Sequence, residues 1–152
     1  MKKTLKPGID FIGVTTPFFC HDGRGNFLFH QRSKNCRDEK EHWDCGGGLL
    51  NFGERPEDSV LREVHEEYGV KGKIDEQLPV YSLFRKSGRR KTHWVVFPFI
   101  IRVNRKKVRI NEPKKMNALK WSKINKFPKP LHSGVRYEFK NYRPYFRKYE
   151  CQ

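Results

Sequence analysis

The chain has 152 residues, 36% of them hydrophobic and 14% aromatic, which is enough apolar material for one folded domain and too little length for a second. Lys and Arg number 33 against 17 Asp and Glu, a net charge of +16. No stretch approaches the roughly 20 apolar residues of a membrane span, and the lysine-bearing start MKKTLKPGIDF has no apolar run to serve as a signal peptide, so the expected location is the cytoplasm and no membrane partner is expected.

Ile9 to Cys20 (IDFIGVTTPFFC) is apolar and rich in β-branched and aromatic residues, which predicts a strand. The turn residues HDGRGN follow, and FLFHQR predicts a second strand that completes a hairpin. The polar segment SKNCRDEKEH reads as a loop leading to Trp43 and to the triplet Gly46, Gly47 and Gly48. Pro56 suits the first turn of a helix, where a missing N–H costs nothing, and Glu57 and Asp58 beside it favour the positive helix end. With Gly69 as its stop, the helix spans 56–68 and carries Val60, Leu61, Val64 and Tyr68 as one apolar, core-facing stripe. LPVYSLFR (78–85) and THWVVFPFIIRV (92–103) predict two strands joined by the basic turn KSGRRK, and the second is apolar enough to be buried on both faces. KWSKI predicts a last short strand, and HSGVRYEFKNYRPYF a helix that Pro144 kinks or ends. Cys20, Cys36, Cys45 and Cys151 show neither CxxC spacing nor a paired His motif, so they are expected to be reduced rather than to bind zinc.

Charge is unevenly spread. From Gly48 to Val70 six acids meet two bases, a net −4, which leaves 31 bases and 11 acids, a net +20, for the rest of the chain. An acidic patch in a basic setting suits a polyanion that is bridged by a bound cation at one spot and attracted by Lys and Arg around it. Within the patch, Glu63, Glu66 and Glu67 stand at i, i+3 and i+4 and project from one helix face. Like charges so spaced cost a few tenths of a kcal/mol per pair on an exposed helix, about 0.2 to 0.5, and more when partly buried. A cation is needed to compensate them, and Mg²⁺ binds through a few carboxylates plus phosphate oxygens while keeping waters. The glycine triplet upstream lets backbone pass close to a ligand, and Gly53 turns the chain toward Glu54 and a helix N-terminus that favours phosphate.

Gly48, five residues, Glu54, seven residues, then REVHEEYGV (62–70) follow without a gap the pattern G-x5-E-x7-R-E-U-x-E-E-x-G-U, where U is a bulky aliphatic residue. The stretch resembles the signature of the Nudix hydrolase family. The tail NEPKKMNALKWSKINKFPKPLHSG is similar to that of many small, MutT-like nucleotide pyrophosphohydrolases. Where relatives usually have Pro before the paired glycines this chain has Cys45-Gly46, a departure that touches loop stiffness and removes no ligand.

The resemblance implies a single domain over 1–152, an α/β/α sandwich with a mixed β-sheet, and its signature box at 48–70. It also implies a Mg²⁺- or Mn²⁺-dependent attack of water on a diphosphate linkage in a nucleoside triphosphate or another nucleoside diphosphate derivative. Carried over by position, Glu63, Glu66 and Glu67 bind metal, and Glu66 or Glu67 takes a proton from water. Arg62 pairs with Glu54 or Glu63 and holds it in place, while Gly48 and Gly69 are structural. Gly47 and Gly48 are candidates for substrate contact, and Glu112 for an additional acid near the metal. Trp43, Phe84, His93 and Phe18 are either stacking platforms for a nucleobase or core, and Arg85 to Lys91 (RKSGRRK) either meets phosphates or RNA or is solvated. Two other readings stand beside the first: hydrolysis at the 5′ end of RNA, drawn by the basic remainder, and a non-catalytic nucleotide sensor. Aromatic content leaves monomer and homodimer both open.

Overall fold

In chain order the computed structural model, which describes residues 1–150 apart from the side chain of Ser87, runs β1 (Gly13–Thr15), β2 (Phe18–His21), β3 (Asn26–Arg32), β4 (Trp43–Asp44), α1 (Pro56–Tyr68), β5 (Lys73–Gln77), β6 (Tyr81–Ser87), β7 (Arg90–Val96), β8 (Phe99–Arg102), β9 (Met116–Lys123), α2 (Ser133–Asn141) and α3 (Arg143–Arg147). Short 3₁₀ turns fall at Arg105–Lys107 and Ile124–Lys126.

The two long apolar runs are each divided in two. A proline has no N–H for a ladder and interrupts a sheet wherever it stands. Pro17 separates β1 from β2, and Pro98 separates β7 from β8. Both breaks fall at the same register: Thr15 lies opposite Val96 and Phe18 opposite Phe99, so the prolines face each other. Bridging bonds from Phe97 N–H to Thr15 O (2.9 Å) and from Phe99 N–H to Pro17 O (3.0 Å) carry the parallel alignment across the break. Before it, β1, β7 and β6 form a three-stranded sheet. Beyond it, a six-stranded sheet runs β4-β3-β2-β8-β5, with β9 antiparallel to β3 on its other edge. The sheets are mixed, as expected, but the strands expected over 9–20 and 92–103 are four. The strand expected over 78–85 begins at Tyr81, and the charged segment KIDEQ forms β5, an edge strand pairing antiparallel with β8.

Alternation along the central strands builds the layers. Phe18, Cys20, Leu28, Phe99 and Ile101 face α1 and meet Val60, Val64 and Tyr68. Their neighbours Phe19, Phe27, Phe29 and Ile100 face the other way and meet Val135, Phe139 and Phe146 of α2 and α3. An α/β/α sandwich results, and β8 is buried on both faces, whereas β7 is only half-buried. Edge-to-face rings stiffen the second core: Phe146 meets Phe19 at 4.8 Å and Phe139 at 4.9 Å, arrangements worth about 0.5–1.5 kcal/mol each beyond their burial.

α1 has the predicted bounds. Pro56 opens it, and Gly69 closes it at φ 63°, the left-handed conformation that glycine adopts without strain, with its N–H bonded to His65 O at 2.8 Å. At the C-terminus the helix expected from His132 onward ends at Asn141 and restarts with Pro144 in the first turn of α3, so the proline ends rather than kinks it. Cys20, Cys36 and Cys45 are free thiols, and Cys151 lies outside the described residues. Among the described residues no helix is long and apolar enough to cross a membrane.

Candidate active site

Arg62 organises the face of α1 that meets the preceding loop. Its Nε and Nη2 donate to the two oxygens of Glu54 at 2.7 and 3.0 Å, and its Nη1 donates to Glu63 Oε1 at 2.8 Å and Glu66 Oε2 at 3.2 Å. Nη2 also reaches the carbonyl of Leu49 at 3.1 Å. Only a planar, five-donor fork serves three carboxylates and a carbonyl at once. The guanidinium holds the Glu54 carboxyl down at about 2, and Glu54 Oε2 in turn accepts the N–H of Asn51 at 3.0 Å, which fixes the turn before the helix. Arg62 thus pairs with both Glu54 and Glu63.

The three glutamates share one helix face but not one environment. Glu66 is half exposed, 49% at the side chain, while Glu63 and Glu67 are buried. Glu63 packs against the glycine loop so closely that a Cβ on Gly48 would fall inside its carboxyl group. Glu67 lies beneath Gly46, where an added Cβ would stand 2.6 Å from Oε2 and against the Phe18 ring, and where φ is 121°. The triplet is therefore what lets backbone rest directly on two carboxylates. Burial pushes the Glu67 carboxyl well above the ordinary range, and the negative charges of Asp44, Glu63 and Glu112 push it further, against the Gly47 N–H. Burial likewise raises Glu63, opposed by Arg62.

Glu112 reaches this region through the C-terminal end of α1. Asn111 donates its backbone N–H to Glu67 O at 3.0 Å and its side-chain amide to Glu66 O at 3.0 Å, which docks the 109–112 loop on the helix. Glu112 Oε2 pairs with Lys115 Nζ at 2.8 Å. Its Oε1, like Glu67 Oε2, is buried without a hydrogen-bond partner among the described residues.

Two orphaned carboxylate oxygens and an all-oxygen donor set are the chemistry of a hard divalent cation, since burying an anion without a partner costs several kcal/mol. In donor chemistry, though not in spacing, the residues suit such an ion. Among the described residues, however, no group of three or more His, Cys, Asp or Glu is drawn together tightly enough to hold one. Arg62 Nη1 bonds both Glu63 and Glu66, while Glu67 is turned inward.

Asp44, absent from the sequence expectations, ties the loop together. Its Oδ1 accepts the N–H of Cys45 at 2.7 Å and its Oδ2 accepts Arg32 Nη1 at 3.0 Å. Burial works against its charge, but His132, His30 and Arg32 hold it down at about 2. Tyr68 steadies the same loop by donating to Cys45 O at 2.8 Å.

Two cavities meet at the glycines. The larger, about 590 Å³, runs from Gly46, Gly47 and Gly48 along the inner face of β6 and β7 to α2, and the smaller, about 450 Å³, has Glu67 and Gly47 in its lining and Arg37 and Lys115 on its rim. Arg37 borders both, on a loop clipped to the fold at each end: Ser33 Oγ donates to Lys114 O at 2.6 Å, and Glu39 accepts the backbone N–H and the hydroxyl of Ser133 at 2.7 and 2.8 Å.

None of the four aromatic candidates lines the larger cavity. Phe18 is core, Trp43 packs against the second core, and Phe84 and His93 stack on each other at 4.5 Å on the outer face of the hairpin, with Phe84 70% exposed. The cavity is lined instead by Leu83 and Trp94, the cross-strand pair next in register, and by Tyr81. A shift of one residue along a strand moves a side chain to the opposite face, and the alternation that puts Trp94 and Val96 on the cavity side puts His93 on the other.

A family model described as the NUDIX domain matches residues 12–142. A MutT-like protein of Streptomyces ambofaciens is 42% identical over 80 residues, 53% of this chain and 47% of the relative, so the chain spans about half the length of that curated relative. Among solved structures, a MutT NUDIX hydrolase from Burkholderia pseudomallei is similar with a TM-score of 0.73 and 24% identity, covering 84% of this chain and 95% of its own. A MutT protein from Methanosarcina mazei Go1 is similar with a TM-score of 0.64 and 20% identity, covering 97% and 96%. At such identities the structural likeness speaks for the fold, and the family model, spanning most of the chain and the whole box around Arg62 and the three glutamates, speaks for descent. The chain belongs to the Nudix family.

Proposed function

We propose that this chain hydrolyses a diphosphate linkage in a nucleoside triphosphate or another nucleoside diphosphate derivative, with Mg²⁺ or Mn²⁺ held by Glu63, Glu66 and Glu67. The observation that carries the reading is the buried Oε2 of Glu67, without a hydrogen-bond partner among the described residues and directly under a glycine loop that two cavities share. When bound, the divalent ion supplies neutralisation of diphosphate charge and a more acidic water. Arg62 keeps Glu63 and Glu66 positioned through its fork. Glu66 or Glu67 accepts the proton of the attacking water, Gly47 and Gly48 admit phosphate close to backbone, and Glu112 adds a carboxylate beside Glu67. The similarity of the tail NEPKKMNALKWSKINKFPKPLHSG to that of small nucleotide-hydrolysing members of the family supports a small nucleotide as substrate.

The test is a pair of variants, Glu66→Gln and Glu67→Gln, assayed on a panel of nucleotides and nucleotide derivatives with Mg²⁺ and by calorimetric uptake of Mg²⁺. A carboxamide ligates Mg²⁺ poorly and takes no proton, so turnover in at least one variant should fall by about 10² to 10⁴ with the fold unchanged. Near wild-type rates in both would sink the assignment. A second reading, hydrolysis at a triphosphorylated RNA 5′ end, is favoured by Arg37, Arg85 and Lys86 at the border of the larger cavity and the basic hairpin beyond it. Turnover of such an RNA should then drop steeply with salt, and a flat salt response excludes it.

A further inference from the structure

Five bases and no acid lie between Tyr81 and Val96, the stretch that forms the β6–β7 hairpin. Elsewhere bases meet acids in ion pairs, such as Arg32 with Asp44, Arg102 with Asp75 and Lys115 with Glu112. Among the described residues Lys86, Arg89 and Lys91 make no ion pair and no side-chain hydrogen bond. Register sorts the hairpin into two faces. Leu83 and Trp94 turn to the cavity. The pairs Ser82–Val95 and Phe84–His93 turn away from it, and Lys86–Lys91 follows them at the tip, where Lys86 also borders the cavity. Lys86 directly opposite Lys91 is a like-charged cross-strand pair, which weakens a hairpin until an anion lies between the two. One pair along the same face, about 7 Å away at two residues of strand rise, Phe84 and His93 stack with their ring planes 32° apart. Phe84 is exposed, so its ring faces water rather than core.

We propose that this outer face docks single-stranded RNA, one base stacking on Phe84 and the flanking phosphates lying against Lys86, Arg89 and Lys91. The surface goes beyond the hydrolytic readings, because a strand docked here need not be the molecule that is cut. Charge and ring together select the partner. An acidic peptide neutralises the ammonium groups and leaves the ring pair in water. A second copy of the chain brings its own lysines to face these, and lysine on the β6 edge discourages strand pairing. A duplex keeps its base faces stacked inside. A single strand offers phosphates to the lysines and a free π-face to the ring at once. Ser82 Oγ and His93 Nε2, 3.4 Å apart beside the ring, add hydrogen-bonding groups for a ribose 2′-OH, which DNA lacks.

The experiment measures fluorescence anisotropy of a labelled, 5′-hydroxyl RNA of about 12 nucleotides with the full chain in EDTA, so that neither a divalent ion nor a 5′ phosphate engages the acidic helix. Three phosphate contacts give a log–log salt slope of about −2. Lys86→Ala with Lys91→Ala should weaken binding at least about tenfold and flatten the slope by about 1.4. Lys106→Ala with Lys107→Ala, an equal loss of charge in the 3₁₀ turn, should weaken it less than about threefold. Phe84→Ala should weaken it about tenfold at unchanged slope, and Phe84→Tyr should stay within about threefold of wild type. Single-stranded DNA and duplex RNA of the same sequence should bind at least about threefold more weakly. Phe84→Ala binding like wild type, or a Lys106 and Lys107 pair that matters as much as the hairpin pair, overturns the surface. DNA or duplex held as tightly as the RNA also overturns it, as does Phe84-dependent uptake onto phosphatidylserine vesicles, which assigns the face to a membrane. The substituted positions are exposed, and melting by circular dichroism checks that each variant folds. Loss of RNA binding in EDTA leaves diphosphate hydrolysis standing, and absence of turnover in Mg²⁺ leaves this surface standing.

Discussion

Replacing Arg62 by methionine takes a guanidinium away from Glu54, Glu63 and Glu66 while leaving a chain of similar length to cover α1. Glu54 sits at about 2 against an ordinary 4.5. That gap of about 2.5 pH units corresponds to about 3.4 kcal/mol at about 1.36 per unit, of which the Asn51 N–H and the Ser59 hydroxyl hold a share that survives the substitution. Glu54 is 16% and Arg62 29% exposed at the side chain, and solvent screening brings the figure to about 2 kcal/mol. The stranded, buried Glu63 adds about 1, for about 3 kcal/mol in all. For a domain of this size that lowers Tm by about 6–12 °C. The pH dependence has a definite sign. Glu54 has a folded value below its unfolded one, so its share is fully present above pH 4.5 and is lost as pH falls toward 2. Urea unfolding followed by circular dichroism between pH 7 and pH 3 should show the two proteins well separated at pH 7 and converging below 4.5. A separation under about 0.5 kcal/mol at pH 7, or one that persists unchanged at pH 3, refutes the central place of Arg62.

Gly48→Ala should cost about 1–3 kcal/mol and reduce turnover at least tenfold, because the new Cβ displaces the Glu63 carboxyl or lifts the loop from it; an unaltered melting curve together with unaltered kcat would show that the loop does not rest on Glu63. Trp94→Ala should raise KM for a nucleotide substrate at least tenfold with a smaller change in kcat, while Phe84→Ala on the outer face changes KM less than twofold. Equal effects in the two variants would place the base elsewhere.

α1 was legible to the residue because its signals are local: a proline that tolerates the first turn, a period of 3.6 and a glycine at the end. The strands were legible as β structure but not in number. IDFIGVTTPFFC and THWVVFPFIIRV each read as one run, and only the pairing of Pro17 with Pro98 shows that both change sheets at the same level. KIDEQ escaped notice because an edge strand pairs on one side alone and tolerates charge. At the site, Arg62 and its carboxylates followed from spacing, since one helix carries most of them. Asp44, Trp94 and Glu138 did not, because they come from β4, β7 and α2 and share a cavity only after the chain has folded. Nor does helical spacing say that Glu67 turns inward while Glu66 faces water, a difference set by the glycine loop lying over one of them.

The facing prolines leave the strand pair jointed like a wrist. Below the joint, β2 and β8 are clamped between helices and hold the acidic helix to the sheet. Above it, β1, β6 and β7 form a small sheet whose inner residues touch the cavity and whose first strand is fastened to the glycine loop by the Thr15 hydroxyl on Gly48 O at 3.0 Å. Exchanging Leu83 or lengthening the basic turn would reshape the cavity wall without touching Arg62 or the carboxylates it binds, so the two ends of the cavity can change independently within one small chain.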